Sequence, residues 1–398
     1  MTAFGLLGIL LSLLGFRFAR ANESRARLVL FILLLLSHIG ASLAYYLYAQ
    51  EFGGDVTIYY YDKYGVYGTG TGLSTIFVIN FVQFLKLNVG GSFFDYFLLF
   101  QAMGFWGILC VLRSFDDIHG ELGQPTFNRV YLLLFLPGLH FWTSAIGKDA
   151  PVFLGVAMCT WAAFRLQTRY LAFGAGVVIM LLFRPHIALL ALIALAFTVL
   201  IGRNTRLLTR VALLGVTVAG IISVAGLVSS SLNGLNLSNT DAVSEFIETK
   251  SSVSEESGGD VSITGASFPV KLVSLLFRPF FIDANGMLGY VASLENVVLL
   301  FLILTLVWRF GTAVQVARGA MFARFAFIFF VMLVFLLALV NYNVGLGLRQ
   351  KMMMMPCLLA FFAAILAVRT ARRQTAVYDP RAAAYAVAPA SVPGYRGG

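Results

Sequence analysis

The sequence predicts an all-α, polytopic integral membrane protein of about eleven transmembrane helices plus one interfacial or re-entrant helix. Three observations predict it. The 398 residues are 60% hydrophobic and only 12% charged, more apolar surface than a water-soluble core can hide. Mean hydropathy is +0.87. Several apolar runs approach the roughly 20 residues that cross ~30 Å of hydrocarbon as a helix, which satisfies its own backbone groups there.

In chain order, the predicted spans lie near 3–16, 28–49, 92–112, 129–145, 150–164, 170–183, 186–202, 211–231, 289–308, 324–341 and 355–368. The first has no basic residues before it and no Ala-x-Ala site after it, so it reads as a membrane helix rather than a secretory signal. The first, sixth and seventh are short, and their ends need interfacial residues or broken geometry. The stretch 74-STIFVINFVQFLKL-87 is amphipathic and is placed in the interface or as a re-entrant helix. The predicted membrane domain covers 1–373, with outer loops at about 50–91 and 232–288. Within the second loop, 232–265 is rich in Ser, Asn, Gly and Glu, the composition of a mobile hydrophilic loop. Residues 374–398 show no helical period and are predicted to form a disordered cytoplasmic tail.

Orientation follows from the basic residues. Alternate connections collect Arg17, Arg20, Arg25 and Arg27, then Arg113 and Arg129, Arg165 and Arg169, Arg203, Arg206 and Arg210, Arg309, Arg318 and Arg324, and Arg369, Arg372 and Arg373. Most of the 28 basic residues lie in this set, and most of the 18 acids lie in the other loops. The positive-inside rule puts the amino terminus outside and the carboxyl terminus inside. The net charge of +10 is therefore an orientation signal and calls for no nucleic acid. Cys110, Cys159 and Cys357 have no paired spacing, and the four histidines have no metal-ligand spacing. There is no P-loop, G-x-S-x-G, H-E-x-x-H or EF-hand pattern. No metal and no cofactor is predicted.

Five connections then carry polar groups to the predicted outer face. They hold Asp55 and Asp62 in a Tyr-rich loop, Lys148-Asp149, Arg184-Pro185-His186, Arg278-Pro279 with Asp283 and Glu295, and Arg349 with Lys351. Each has a plain structural reading. Asp149 suits the dipole of the helix it starts, and Lys148 is able to snorkel. His186 reads equally as a packing histidine. Arg349 and Lys351 read as interfacial anchors, and Asp55 and Asp62 as solvated loop residues. Glu295 needs a buried partner, for which Arg278 or Arg349 is available, so a structural ion pair is an equal reading. Their shared side favours function. Lys148, Arg184, Arg278, Arg349 and Lys351 are suited to hold a phosphate or pyrophosphate, with Arg offering two-pronged geometry. Asp149, Asp283, Glu295 or a nearby His is suited to take a proton from a hydroxyl. Trp142, Tyr59, Tyr60, Tyr61 and Phe280 are suited to stack on sugars, although an interfacial belt needs the same residues. The substrate class is a lipid-linked phosphorylated molecule entering from the bilayer.

Four stretches, 137-PGLHFWTSAIGKDA-150, 183-FRPH-186, 278-RPFFIDANGMLGYVASLEN-296 and 345-GLGLRQKMMMMP-356, resemble the Wzy-type exopolysaccharide repeat-unit polymerases of bacterial polysaccharide clusters. The early loop 55-DVTIYYYDKY-64 fits the same pattern. The resemblance is spread over most of 50–357. It implies a metal-independent glycosyl transfer at the outer face of the bacterial inner membrane, moving a growing glycan from undecaprenyl pyrophosphate to a lipid-linked repeat unit. Lys148, Arg184, Arg278 and Arg349 would then contact phosphate or saccharide. Asp149 or Asp283 would be the base, and Glu295 would place an arginine. Asp283 stands where the pattern more often has Glu, and Phe281-Ile282 replaces a usual Pro-Trp. The cytoplasmic arginine loops and the tail are available to a chain-length regulator. Two other classes stay open. One is a glycosyltransferase using a polyprenyl-phosphate sugar, which Asp55 and Asp62 in the first loop suit. The other is a lipid-linked saccharide flippase or exporter, for which the sequence lacks internal repeats.

Overall fold

A computed structural model describes residues 2–19, 25–68, 72–122, 129–202, 207–231, 263, 265–341 and 343–378. Every regular element among them is helical. In order these are α1 (Ala3–Ala19), α2 (Arg25–Phe52), α3 (Asp55–Tyr61), α4 (Thr75–Asn88), α5 (Phe93–Glu121), α6 (Pro137–Phe141), α7 (Asp149–Ala162), α8 (Leu166–Phe183), α9 (Pro185–Ile201) and α10 (Leu207–Ser231). There follow α11 (Phe268–Phe277), α12 (Gly286–Trp308), α13 (Phe310–Gly319), α14 (Met321–Val340), α15 (Val344–Lys351) and α16 (Met355–Tyr378).

By length and composition, 6 helical stretches among the described residues can cross a membrane: Arg25–Phe52, Phe93–Glu121, Asp149–Phe183, Gly286–Trp308, Met321–Val340 and Val344–Arg372. The eleven-span expectation is thus reduced to a coarser result, an all-α protein with membrane-spanning helices. The apolar stretches of α1, α4, α9, α10 and α11 fall in a shorter class. The span expected at 129–145 is not a helix. A 3-10 turn, Arg129–Phe135, gives way to the five-residue α6 and an irregular stretch up to Lys148. The reason is Pro137. It lacks an N–H and pushes Leu136 out of helical backbone, to ψ 124. At the other end, α16 continues to Tyr378, so helix extends past 373 into the expected tail. The loop residues 232–262 and the tail from 379 lie outside the described residues.

The stretch Asp149–Phe183 is not one rod. A short turn, Ala163–Arg165, separates α7 from α8, and the two pack back to back. A Cβ placed on Gly155 would stand 2.7 Å from the Gly176 carbonyl oxygen, so only glycines permit this approach. One turn further along, the Cys159 thiol meets the Phe173 carbonyl at 3.5 Å. Contacts that step forward on one helix and backward on the other define an antiparallel hairpin. Its consequence is that Asp149, at the start of α7, and Arg184, just after α8, lie at the same end.

α5 and α16 run through the middle, enclosed by the other helices. α2, α12 and α14 keep apolar outer faces, with Leu36, Phe301 and Phe335 exposed, as lipid-facing helices require. Buried hydroxyls within the helices are satisfied locally: Ser114, Thr160 and Thr198 each donate to the carbonyl four residues back. α4 has 14 residues, about 21 Å of helix, too short to cross. Its start is tied to Leu182, where the Ser74 N–H donates at 2.9 Å. Its end is tied back to α3, with Lys86 Nζ donating to the Tyr60 carbonyl at 3.1 Å. Both ends therefore sit at the same end of the bundle. The far end is closed by buried ion pairs of Arg27 with Asp116 and of Arg169 with Asp117.

Candidate functional site

The near end gathers charged groups from four separate connections. Asp149 is at its centre, only 6% exposed. Its Oδ1 accepts from Arg184 Nη2 at 2.9 Å, and its Oδ2 accepts from Arg349 Nε. Arg349 then reaches Asp55 Oδ2 through Nη1 at 2.6 Å. Helix breaks set each position. Arg184 precedes Pro185 and takes φ −148, ψ 81, which ends α8 and starts α9 without a spacer. Arg349 rides on the short α15, whose start is capped by Asn343 Oδ1 accepting from the Leu346 N–H at 2.6 Å. Asp55 opens α3.

Lys148 adds a third cation. Its Nζ donates to Thr75 Oγ1 at 2.7 Å and Ser74 Oγ at 3.2 Å, holding the first turn of α4. Burial, reinforced by Arg184 and Arg349 nearby, pushes the Lys148 ammonium down to about 7. Burial pushes Asp55 the other way, but the Arg349 charge and hydrogen bond outweigh it and hold the carboxyl below its ordinary range. The loop carrying Lys148 is pressed against α5, where a Cβ on Gly104 would fall 1.8 Å from the Thr143 carbonyl oxygen. Gly147 has φ +149, and a Cβ there would stand 3.2 Å from the Tyr59 ring and 3.8 Å from Arg349 Nη2. The bare glycine keeps a gap between an aromatic face and a guanidinium.

Three cations share two carboxylates in this cluster, an excess of positive charge suited to an anion. A donor remains for it: Arg349 Nη2 is used by neither carboxylate.

Beside this cluster is a second one. Arg278 donates through Nε to Asp283 at 2.5 Å, and Asp283 also accepts the Phe280 N–H at 2.5 Å. The loop's own N–H and Arg278 together hold the Asp283 carboxyl below its ordinary range, against the effect of burial. Asn296 donates to the Pro279 carbonyl at 2.7 Å. Lys351, 1% exposed, donates to Asn296 Oδ1 and to the Arg278 carbonyl, the latter at 3.3 Å. The expected pairing of Glu295 with Arg278 or Arg349 is not found. Its Oε2 instead accepts the Gly138 N–H at 3.0 Å, and its Oε1 is buried with no hydrogen-bond partner. The reason is geometric: α12 packs on α6, while Arg278 and Arg349 are already taken by Asp283, Asp149 and Asp55.

The remaining expected residues fall as follows. Asp62 closes α3 in left-handed conformation and accepts the N–H groups of Val66 and Tyr67 at 2.8 and 3.0 Å, a turn role. Trp142 packs edge-on against Phe141 and Tyr45, with centroids 5.0 and 5.6 Å apart. Tyr59 and Tyr60 are buried, whereas Tyr61 is exposed. His186 follows Arg184 in the first turn of α9. Sequence reasoning missed Ser74, Thr75 and Gly147. Nothing local marks them, because their roles arise only when α4 and α3 fold onto the Lys148 loop. No family model, no curated protein and no solved structure matches the chain.

Proposed function

We propose that the chain is a polysaccharide repeat-unit polymerase of a bacterial inner membrane, with this end of the bundle at the outer face. It would transfer a growing glycan from undecaprenyl pyrophosphate to a lipid-linked repeat unit. The observation that carries the reading is the cluster of Lys148, Arg184 and Arg349 around two carboxylates, with an arginine donor left over. A pyrophosphate leaving group needs such a cluster, because negative charge builds on it as the glycosidic bond breaks. Asp149 holds the two arginines in place, Asp55 orients Arg349, and the Lys148 ammonium completes the cationic rim. Arg278, with only Nε committed to Asp283, offers two further nitrogens to the saccharide or to a second phosphate.

The decisive experiment supplies purified protein with a lipid-linked repeat unit and follows chain length on a gel. Long polymer is expected with the wild-type chain and none with Arg349→Ala. In cells, loss of the gene should leave single lipid-linked repeats and no polymer. Polymer of normal length lacking one sugar would instead identify a decorating glycosyltransferase. Substrate trapped on the cytoplasmic leaflet would identify a flippase.

A further inference from the structure

One short helix joins the two charged clusters of the near end. α15 has eight residues and carries both Arg349 and, as its last residue, Lys351. Positions two apart on an α-helix stand about 200° apart around its axis, so these side chains leave α15 on opposite sides. Arg349 goes to Asp149 and Asp55. Lys351 goes to the turn that carries Arg278. Its Nζ donates there to the Arg278 carbonyl at 3.3 Å and to Asn296 Oδ1. With only 1% of the residue exposed, that nitrogen faces protein groups and not the surface.

The turn's first two carbonyls are satisfied from outside it. Arg278 follows α11 in extended backbone, φ −99 and ψ 151, and Pro279 has no N–H. Lys351 meets the Arg278 carbonyl, and Asn296 Nδ2 meets the Pro279 carbonyl at 2.7 Å. A carbonyl only accepts, so the Asn296 amide turns its nitrogen to Pro279 and its oxygen to Lys351. Lys351 thus holds the turn twice, once directly and once by fixing that amide. Asp283 completes the grip through the Phe280 N–H and Arg278 Nε, each at 2.5 Å. What these contacts leave over is Arg278 Nη1 and Nη2. Neither has a hydrogen-bond partner among the described residues, and neither is sealed away. The side chain that carries them is 31% exposed.

We propose that Lys351 is a positioning residue: with Asn296 it holds the Arg278 turn so that the two free guanidinium nitrogens bind the phosphate of a second lipid-linked unit. Arg349, on the other side of the same helix, serves the first. The inference rests on the polymerase reading, in which a donor lipid and an acceptor lipid are bound together. The donor's pyrophosphate gains charge as its bond to the glycan breaks, and it belongs with the three cations of the first cluster. The acceptor's pyrophosphate does not react. One guanidinium held in a fixed place suits it, and that contact acts on binding and not on the barrier. α15 is then the strut that spaces two lipid headgroups.

Two readouts test the inference: binding of the lipid-linked repeat unit to the chain in nanodiscs, and polymer formed per minute over a range of that unit. The wild-type chain should bind two units. Lys351→Met and Arg278→Ala should each weaken one of the two, and raise KM, by roughly tenfold, the loss of about one hydrogen bond to a charged group. Maximal turnover should stay within about threefold of wild type, because binding lost equally from ground and transition states spares kcat. A merely structural lysine would do the opposite, lowering kcat through loss of folded chain and sparing KM. Adding Lys351→Met to Arg278→Ala should raise KM no further, since the lysine acts through the arginine. Wild-type KM and affinity in Lys351→Met, or effects that simply add in the double variant, would overturn the inference. If Lys351→Met does not fold, Asn296→Ala, which strips the Pro279 contact, carries the same predictions and is judged in the same way. A wild-type chain that binds the lipid-linked unit but never extends it overturns the polymerase reading itself, and the binding measurements on the variants still decide the role of Lys351.

Discussion

Replacing Asp149 with Asn leaves its size unchanged and removes the charge that Arg184 and Arg349 share. The side chains of those arginines are 12% and 16% exposed, so water supplies little compensation. Removing one partner of a buried pair costs about 3–5 kcal/mol, because an uncompensated charge stays behind. Asp55 provides the internal control. Its side chain is 47% exposed, and an ion pair that open contributes about 0.2–1 kcal/mol. Asp55→Asn should therefore cost under about 1 kcal/mol although it touches the same Arg349. The assay is unfolding of the detergent-solubilised chain by titration with a denaturing detergent. The double variant Asp149→Asn/Arg184→Met should recover part of the loss, since it deletes one stranded charge. Equal costs for Asp149→Asn and Asp55→Asn, to within about 0.5 kcal/mol, together with strict additivity in the double variant, would refute the reasoning.

Lys148 gives a pH signature. With its ammonium at about 7 in the folded chain and near 10.4 unfolded, the burial penalty is full below pH 7 and is relieved as pH rises toward the ordinary lysine range. Stability should rise through that window in the wild-type chain and not in Lys148→Met. Affinity for a pyrophosphate lipid should fall over the same rise, measured by binding at pH 6 and pH 9 (roughly one unit below the titration and two above it). Gly147→Ala should weaken that affinity and lower thermal stability by about 1–2 kcal/mol, because positive φ and the Tyr59 contact both oppose a methyl group; unchanged melting would show the loop is slack. Glu295→Gln should lower the melting temperature, because the buried Gly138 N–H then meets a neutral acceptor in place of a carboxylate.

What was legible in the sequence depended on scale. Lys148-Asp149, Arg184, Asp55 and Arg349 stood out because each interrupts or borders an apolar run on the same set of alternate connections. Charge there is too unusual to overlook, and the structure does bring these residues together. The broken span at 129–145 was harder to read, since hydropathy registers greasy residues and not the backbone angle that Pro137 imposes on Leu136. The partner of Glu295 was out of reach for another reason. Which cation or N–H an acid meets depends on how α12 packs against α6, and no spacing along the chain encodes that. Ser74 and Thr75 belong to the same class, two hydroxyls whose role exists only because α4 ends up beside Lys148.

The α7–α8 hairpin has a consequence for how this chain tolerates change. Each residue added to a helix rotates everything beyond it by about 100° and advances it by about 1.5 Å. Arg184 finds Asp149 across the hairpin only because α8 has the rotational phase that points the residue just beyond its end inward. One residue inserted in α8 would turn Arg184 toward lipid, while one inserted in a loop beyond the bundle would leave the phase untouched. The hairpin thus works as a gauge of angle, and its length is under tighter constraint than its composition.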